Sequence, residues 1–358
     1  MNEPKISVIT PMYNCERYIL DCARSVINQN FKAYEHIIVD DCSTDRSVEV
    51  VEKIISVLKN SGEENIPKLI KHEKNTGQEQ AVNDGIAVAR GKYIRVLHAD
   101  DVFMPNALDS LYKIAEQYDA EVVHETARLI STEDGGATIY PGCRLEWNVH
   151  DRHAVDEITK MSLDLNDRVA DWFERGTYVD SVYNLFRRDF LTNEVRYEGS
   201  NFIFTLYWLM KAKCAVKVPQ ATYIYRLNPQ SITNKKRSVE KIAGTIDAMI
   251  KSVKIVDEFM SKIDFFSDKK YLRELIKIQT ASTVDGHSIH RHGYYREELT
   301  AELYEAVGRA MEKHFGDAGW LAAYYFHIAH EAHFGRLLED ERLFRDQTSA
   351  KYVLYPTL

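Results

Sequence analysis

The stretch YIRVLHADD, residues 93–101, decides how this chain folds. Tyr93 to Leu97 is a short run of apolar and β-branched residues, the composition of a buried strand. It stops at His98 and Ala99 and then presents two adjacent carboxylates, Asp100 and Asp101. Neighbouring carboxylates at a strand end repel each other, and a divalent cation is the usual agent that offsets this. The alternative is a helix start. Asp caps helix N-termini, and Pro105 suits the first turn of a helix carrying Leu108, Leu111, Ala115 and Tyr118 on one face. Both readings stand on this stretch alone.

The same unit repeats on the N-terminal side. ISVIT (6–10) is an apolar strand that PMYN (11–14) breaks, and a helix face follows at Ile19, Ala23, Val26 and Ile27. HIIV (36–39) is a second strand, and DDCSTD (40–45) ends it. In that cluster Ser43 or Asp45 caps the next helix, marked by Val48, Val51, Ile55 and Leu58. KLIK (68–71) is a weaker third strand, and Asn75 to Gly77 turn the chain into a helix with Ala81, Ile86 and Ala89 inward. Glu121 to His124 begins another strand. Strands alternating with helices over short connections give a mostly parallel sheet covered by helices. Ligands of such sheets bind beyond the carboxyl ends of the strands. Three of those ends carry polar clusters here: Tyr13-Asn14, Asp40-Asp41 and Asp100-Asp101.

Further along, a helix is expected over Ile158–Glu174, an apolar helix over Phe202–Ala212 and a strand over Val216–Tyr225. After Asn234 the pattern is helical only, with stripes over 239–260, 271–290, 297–314 and 320–338 and a last strand signal at Tyr352–Leu354. The expected organisation is a sheet domain over 1–234 and a helical extension over 235–358.

Composition narrows the class. The chain has 358 residues, 45% of them hydrophobic and 28% charged, which is a globular balance. Lys and Arg total 46 against 54 Asp and Glu, a formal charge of −8, which argues against nucleic acid as a partner. Five cysteines without C-x-x-C spacing point to a reducing, cytoplasmic setting. No run reaches the roughly 18–20 apolar residues of a membrane span. G-x-G-x-x-G after a strand, the P-loop and G-x-S-x-G are all absent from the sequence. His287, His290 and His292, and His327, His330 and His333, have helix-face spacing without the H-E-x-x-H pattern of a metal site. Trp147, Trp172, Tyr178, Tyr183 and Trp208 could stack on sugars, although aromatic side chains of this kind more often pack in cores.

Taken in order, these motifs resemble the family 2 glycosyltransferases of the GT-A fold. SVITPMYN (7–14) is similar to the family's opening strand and nucleotide loop, and VDDCSTD (39–45) to its second strand and base-binding loop. Asn75-x-Gly77, Ala81-x-Asn83-x-Gly85 and GKYI (91–94) follow its middle segment, and LHADD (97–101) its D-x-D region. YNLFRRDFL (183–191) resembles the acceptor-side segment, and Tyr223-x-Tyr225-Arg226 with QSIT (230–233) the end of the catalytic domain. The resemblance runs over residues 5–234. It implies a GT-A α/β fold with an all-helical C-terminal extension. It also implies inverting transfer of a sugar from a nucleoside diphosphate sugar, with a UDP-sugar favoured, to an acceptor hydroxyl. On it, Pro11 and Tyr13 line the base pocket, Asp41 bonds the base, Asp100 contacts the ribose, and Asp101 binds Mn2+ or Mg2+.

Two positions depart from the family pattern. His98 stands where the family often has the first Asp. Ser200-Asn201 stands where it usually has Glu-Asp or Gly-Asp, and Asn cannot serve as a base. Glu198 is the nearest carboxylate and the candidate base, with Asp180 more remote. Asn201 motivates an alternative, a sugar-nucleotide-binding or scaffold protein that has lost its base. A nucleotidyltransferase ranks last, because the first loop lacks the Gly-rich, Arg-containing sequence expected of one. The acceptor stays open among a glycan, a lipid-linked molecule and a protein, and relatives suggest surface polysaccharide or glycoconjugate synthesis. The tail could pair two copies into a homodimer, shape an acceptor site or lie on the inner face of a membrane.

Overall fold

The computed structural model describes residues 3–127, 129–132, 144–146, 155–175, 181–193, 195, 197, 201–226, 238–285, 305–306, 308–310 and 312–313. The chain divides into two units, residues 1–228 and 229–358.

In the first unit the elements run β1 (Ile6–Met12), α1 (Ile19–Ile27), β2 (Tyr34–Asp40), α2 (Ser47–Asn60), β3 (Lys68–Lys71), α3 (Gln78–Val88), β4 (Tyr93–Val96), β5 (Val102–Phe103) and α4 (Ala107–Tyr118). They continue with β6 (Val122–Glu125), β7 (Leu129–Thr132), β8 (Arg144–Glu146), β9 (Thr159–Lys160), α5 (Leu165–Arg175), β10 (Asn184–Arg187), α6 (Arg188–Asn193), α7 (Asn201–Lys211), β11 (Ala215–Val218) and β12 (Tyr223–Arg226). Eight strands form one sheet in the order β3-β2-β1-β4-β10-β6-β11-β9, and β5-β12-β7-β8 form a second. β3, β2, β1 and β4 are parallel, β10 is inserted antiparallel between β4 and β6, and β11 is parallel to β6. This is the mostly parallel, helix-flanked sheet of the GT-A fold.

All seven residues of β1 are buried, as a central strand covered on both faces requires. The chain entering the neighbouring strand closes on it tightly. A Cβ on Gly91 would lie 2.5 Å from the backbone nitrogen of Ser7, so only glycine fits where the chain enters β4. The chain moves outward from β1 through β2 to β3 and then returns to place β4 on the other side of β1. The β1/β4 boundary is therefore a topological switch point, where a crevice opens beyond the strand ends.

Four expectations are corrected. Pro11 does not break the first strand: β1 runs on to Met12, with Pro11 opposite Val39. The odd-numbered residues of β1 face β4, since the Lys5 and Ile9 carbonyls accept the Tyr93 and Leu97 N–H groups, each at 2.9 Å. The last β1–β4 pair is Ile9 with Val96, so the missing N–H of Pro11 faces a side that β4 has already left. The stretch Val216–Tyr225 is two strands in different sheets, divided at Pro219. The helix expected from Ile158 starts at Leu165, because Thr159 and Lys160 pair with β11 and the Asp164 carboxylate accepts the Asn166 N–H at 2.8 Å. Ser43 does not cap α2. Asp45 Oδ1 accepts the Ser47 N–H at 2.9 Å, while Ser43 Oγ accepts the N–H of Asn14 at 3.0 Å.

In the second unit α8 (Val239–Ser261) and α9 (Lys270–Asp285) pack on each other, with a 3-10 turn at Asp264–Phe266 between them. Arg273 pairs with Asp257 at 2.7 Å across the two helices. Among the described residues no helix is long and apolar enough to cross a membrane. The two histidine clusters and the Tyr352–Leu354 signal lie outside the described residues, as do Trp147, Tyr178 and Asp180. Tyr183 and Trp208 are buried and pack in the core.

Candidate active site

Three strand-end loops converge at the switch point. The loop after β1 is strapped to the loop after β2 by the Asn14 side chain. Its Oδ1 accepts the Thr44 N–H at 2.8 Å, and Asn14 itself adopts φ +52°, a left-handed conformation that Asn tolerates. The Cys15 N–H donates to Ser47 Oγ at 2.8 Å and the Glu16 N–H to Asp45 Oδ2 at 3.0 Å. These bonds hold Pro11 buried in β1 and leave the Tyr13 ring 45% exposed at the mouth of the crevice.

Asp41 is buried at the end of β2. Its Oδ1 accepts the Thr76 N–H at 2.7 Å, the Thr76 hydroxyl at 3.0 Å and His72 Nδ1 at 2.9 Å, and its Oδ2 accepts the Gly77 N–H at 2.7 Å. Burial pushes its carboxyl pKa up, but these donors outweigh it and hold the group below its usual range. Gly77 has φ +93°, which explains the glycine: the chain must turn left-handed to deliver its N–H before α3 begins. Oδ2 carries one of these donors and keeps a lone pair for a ligand N–H.

Asp100 and Asp101 sit in different surroundings. Asp101 is 1% exposed and is held from β12. The Tyr223 hydroxyl donates to its Oδ2 and the Arg226 N–H to its Oδ1 at 2.7 Å. The Tyr223 oxygen also accepts the His98 N–H at 3.3 Å. Asp100 is half-buried. His98, Asp100 and Asp101 each offer one ligand atom, and the three atoms lie within 4.8 Å of one another. An imidazole nitrogen with two carboxylate oxygens is a donor set that fits a divalent first-row cation.

Beneath this cluster Arg95 on β4 pairs with Glu125 on β6, both fully buried. The Arg95 guanidinium lies over the Phe103 and Tyr223 rings, 5.5 and 6.0 Å from their centroids, and Glu125 Oε1 accepts the Thr222 N–H at 2.6 Å. The pair thus carries β12 and its tyrosine toward Asp101.

Glu198 lies outside the described residues. Tyr197 before it is buried and lines an open cleft of about 320 Å³ with Thr76, Gly77, Gln78 and Glu79. The Tyr197 carbonyl accepts the Asn83 side-chain amide at 2.6 Å. Asn201 opens α7. The structure therefore brings Pro11, Tyr13, Asp41, Asp100 and Asp101 to one crevice. His72, Thr76 and Tyr223 gain their roles only from partners 31, 35 and 122 residues away, so no local pattern marks them.

Comparison with known proteins gives the arrangement its place. Residues 7–162 match the family Glycosyl transferase family 2. Glycosyltransferase GlyG of Streptococcus pneumoniae is 26% identical over 254 residues, 69% of this chain and 79% of that protein. Bacillus subtilis TuaG, named as a teichuronic acid biosynthesis glycosyltransferase, is 36% identical over 107 residues, 30% of this chain and 40% of that protein. Among solved structures, S. aureus TarS 1-349 in complex with UDP-GlcNAc superposes with a TM-score of 0.58 at 18% identity, covering 89% of each chain, which is likeness of fold. Motif order, strand-end geometry and these matches agree: over residues 7–162 the chain is similar to the family 2 glycosyltransferases, and its sheet has the arrangement of the GT-A fold.

Proposed function

We propose that this glycosyltransferase moves a sugar from a nucleoside diphosphate sugar to an acceptor hydroxyl with inversion, using Mn2+ or Mg2+. The observation that carries this reading is the convergence of the β1, β2 and β4 ends at one switch-point crevice. A uracil ring suits the space between the exposed Tyr13 ring and Pro11, with its N–H on Asp41 Oδ2. The ribose follows at Asp100. Asp101, with Asp100 beside it, would hold the cation, which when bound supplies charge neutralisation for the leaving diphosphate.

The acceptor oxygen attacks the anomeric carbon as the bond to the diphosphate breaks, and the diphosphate keeps the electron pair. The acceptor proton passes to a carboxylate, which we assign to Glu198 because Asn201 has no basic atom. One displacement inverts the anomeric centre. The fold likeness to a UDP-GlcNAc complex supports a UDP-sugar donor. The TuaG relative, named for teichuronic acid biosynthesis, supports a role in polysaccharide synthesis, and the cysteine pattern supports a cytoplasmic setting.

UDP release from UDP-GlcNAc and other UDP-sugars, measured with Mn2+, tests this. Asp101→Asn is expected to abolish release. Glu198→Gln is expected to lower kcat by about 100-fold or more, the usual contribution of a general base, without weakening UDP binding. Full turnover in Glu198→Gln would remove Glu198 from the mechanism. Metal-independent turnover indifferent to Asp101→Asn would remove the cation.

A further inference from the structure

His98 occupies the position where an acidic residue is common in the family, and its surroundings give it a task. We propose that His98 is a nitrogen ligand of the cation and that it biases the site toward Mn2+ and Co2+ over Mg2+. This rests on the metal-dependent reading above and goes beyond it by naming a third ligand and the selectivity it imposes.

Three observations support it. His98 Nδ1 faces the carboxylates, 3.8 Å from Asp101 Oδ2, with its side chain 18% exposed. Its other ring nitrogen, Nε2, meets the Gln78 side-chain amide at 2.9 Å, where α3 begins. Finally, the three candidate donor atoms already lie within 4.8 Å of one another, so modest rotation of the half-buried His98 and Asp100 closes them on one ion.

The Gln78 contact matters because a ligating histidine almost always donates its second ring N–H to a neighbour, which fixes the tautomer. A half-turn of the Gln78 amide presents Oε1 to Nε2–H. That leaves the Nδ1 lone pair directed at the carboxylates. Charge and donor softness then set the preference. With His in place of Asp, the site carries two formal negative charges instead of three and gains an imidazole nitrogen. Mg2+ is a hard ion that takes oxygen ligands and keeps its waters. Imidazole favours the first-row transition ions, with Co2+ above Mn2+ in the usual order of affinity.

The test uses the full chain, stripped with chelator and titrated with Mn2+, Co2+ or Mg2+ in the presence of saturating UDP. Thermal unfolding follows each titration, since a ligand selective for the folded state raises its stability with occupancy. The Mn2+ complex is also examined by electron spin-echo spectroscopy for modulation from a directly bound 14N. Expected results are 14N modulation in the wild type and its loss in His98→Asp. The ratio of Mg2+ to Mn2+ dissociation constants should fall at least 10-fold in that variant. Gln78→Met should weaken Mn2+ about 10-fold, the scale of losing an outer-shell partner, and leave Mg2+ little changed.

Mn2+ bound without nitrogen modulation, with an unchanged ratio in His98→Asp, overturns the role of His98 and leaves Asp100 and Asp101 as ligands. UDP binding with no response to any of the three ions overturns both this inference and the metal dependence it rests on. Should His98→Asp fail to fold, the wild-type spectrum and Gln78→Met still decide.

Discussion

Tyr223→Phe removes one oxygen atom and tests whether β12 holds the candidate metal ligand. The phenol is fully buried, donates to Asp101 Oδ2 and accepts the His98 N–H at 3.3 Å. Phe keeps the ring and its packing against Phe103 and Tyr183, whose centroids lie 5.9 and 5.3 Å away. The change therefore isolates the hydroxyl. A hydrogen bond to a charged group contributes about 1.5–3 kcal/mol. Asp101 keeps the Arg226 N–H as a donor, and the His98 N–H sits in a half-buried loop, so we expect a loss near the middle, about 2 kcal/mol. That corresponds to about 30-fold more frequent opening of the strand end. Hydrogen exchange read by mass spectrometry, over peptides covering 98–103 and 222–226, measures it locally and does not require both units to unfold together. Tyr183→Phe serves as the control, because it alters a ring packed 5.3 Å from Tyr223 and leaves the Tyr223 hydroxyl on Asp101 in place. Protection at 98–103 that changes less than about twofold in Tyr223→Phe would refute the idea that the phenol orients Asp101.

Two further predictions concern what lies beneath the site. Arg95→Met strands the fully buried Glu125 carboxylate and should cost about 3–5 kcal/mol, whereas Arg95→Met with Glu125→Leu should recover more than half of that, since replacing both charges is tolerated better than removing one. Denaturant midpoints of the single and double variants, with UDP binding alongside, check it. Burial pushes the His36 imidazole, which meets Thr10 Oγ1 at 2.9 Å, from an ordinary 6.5 down to about 3. The folded protein keeps it neutral and the unfolded chain takes the proton, so its contribution is complete above pH 6.5 and is lost as pH falls from there toward 3. Between about pH 7.5 and pH 5 this single group should cost about 2 kcal/mol, and His36→Gln should flatten the pH dependence of the urea midpoint over that window. An unchanged slope in His36→Gln would contradict the assignment.

The fold is legible in the sequence where one local pattern dominates. Buried β-branched runs that end in Asp and Asn mark β1, β2 and β4 and their shared end, because a strand covered on both faces must be apolar and its end must turn polar. Pro11 misleads because proline usually ends a central strand. It is tolerated here only since β4 stops short, which depends on a neighbour in space. Thr159 and Lys160 carry no strand signal beyond their pairing with β11. The site follows the same division. Asp41, Asp100 and Asp101 are visible as carboxylates at strand ends. Their environments are not, because they are made by His72, Thr76, Gln78 and Tyr223, which other elements deliver. The buried Arg95 looks like an irregularity in an apolar strand until Glu125 and two aromatic rings surround it.

The central claim is that the crevice at the β1/β4 switch point binds a nucleoside diphosphate together with a divalent cation. Calorimetric titration of UDP into the full chain, with Mn2+ and then with excess chelator, tests it most directly. The account predicts that UDP binds with Mn2+, weakens at least 10-fold without it, and weakens at least 10-fold in Asp41→Asn and in Asp101→Asn. UDP affinity indifferent to Mn2+ and to both substitutions would contradict it.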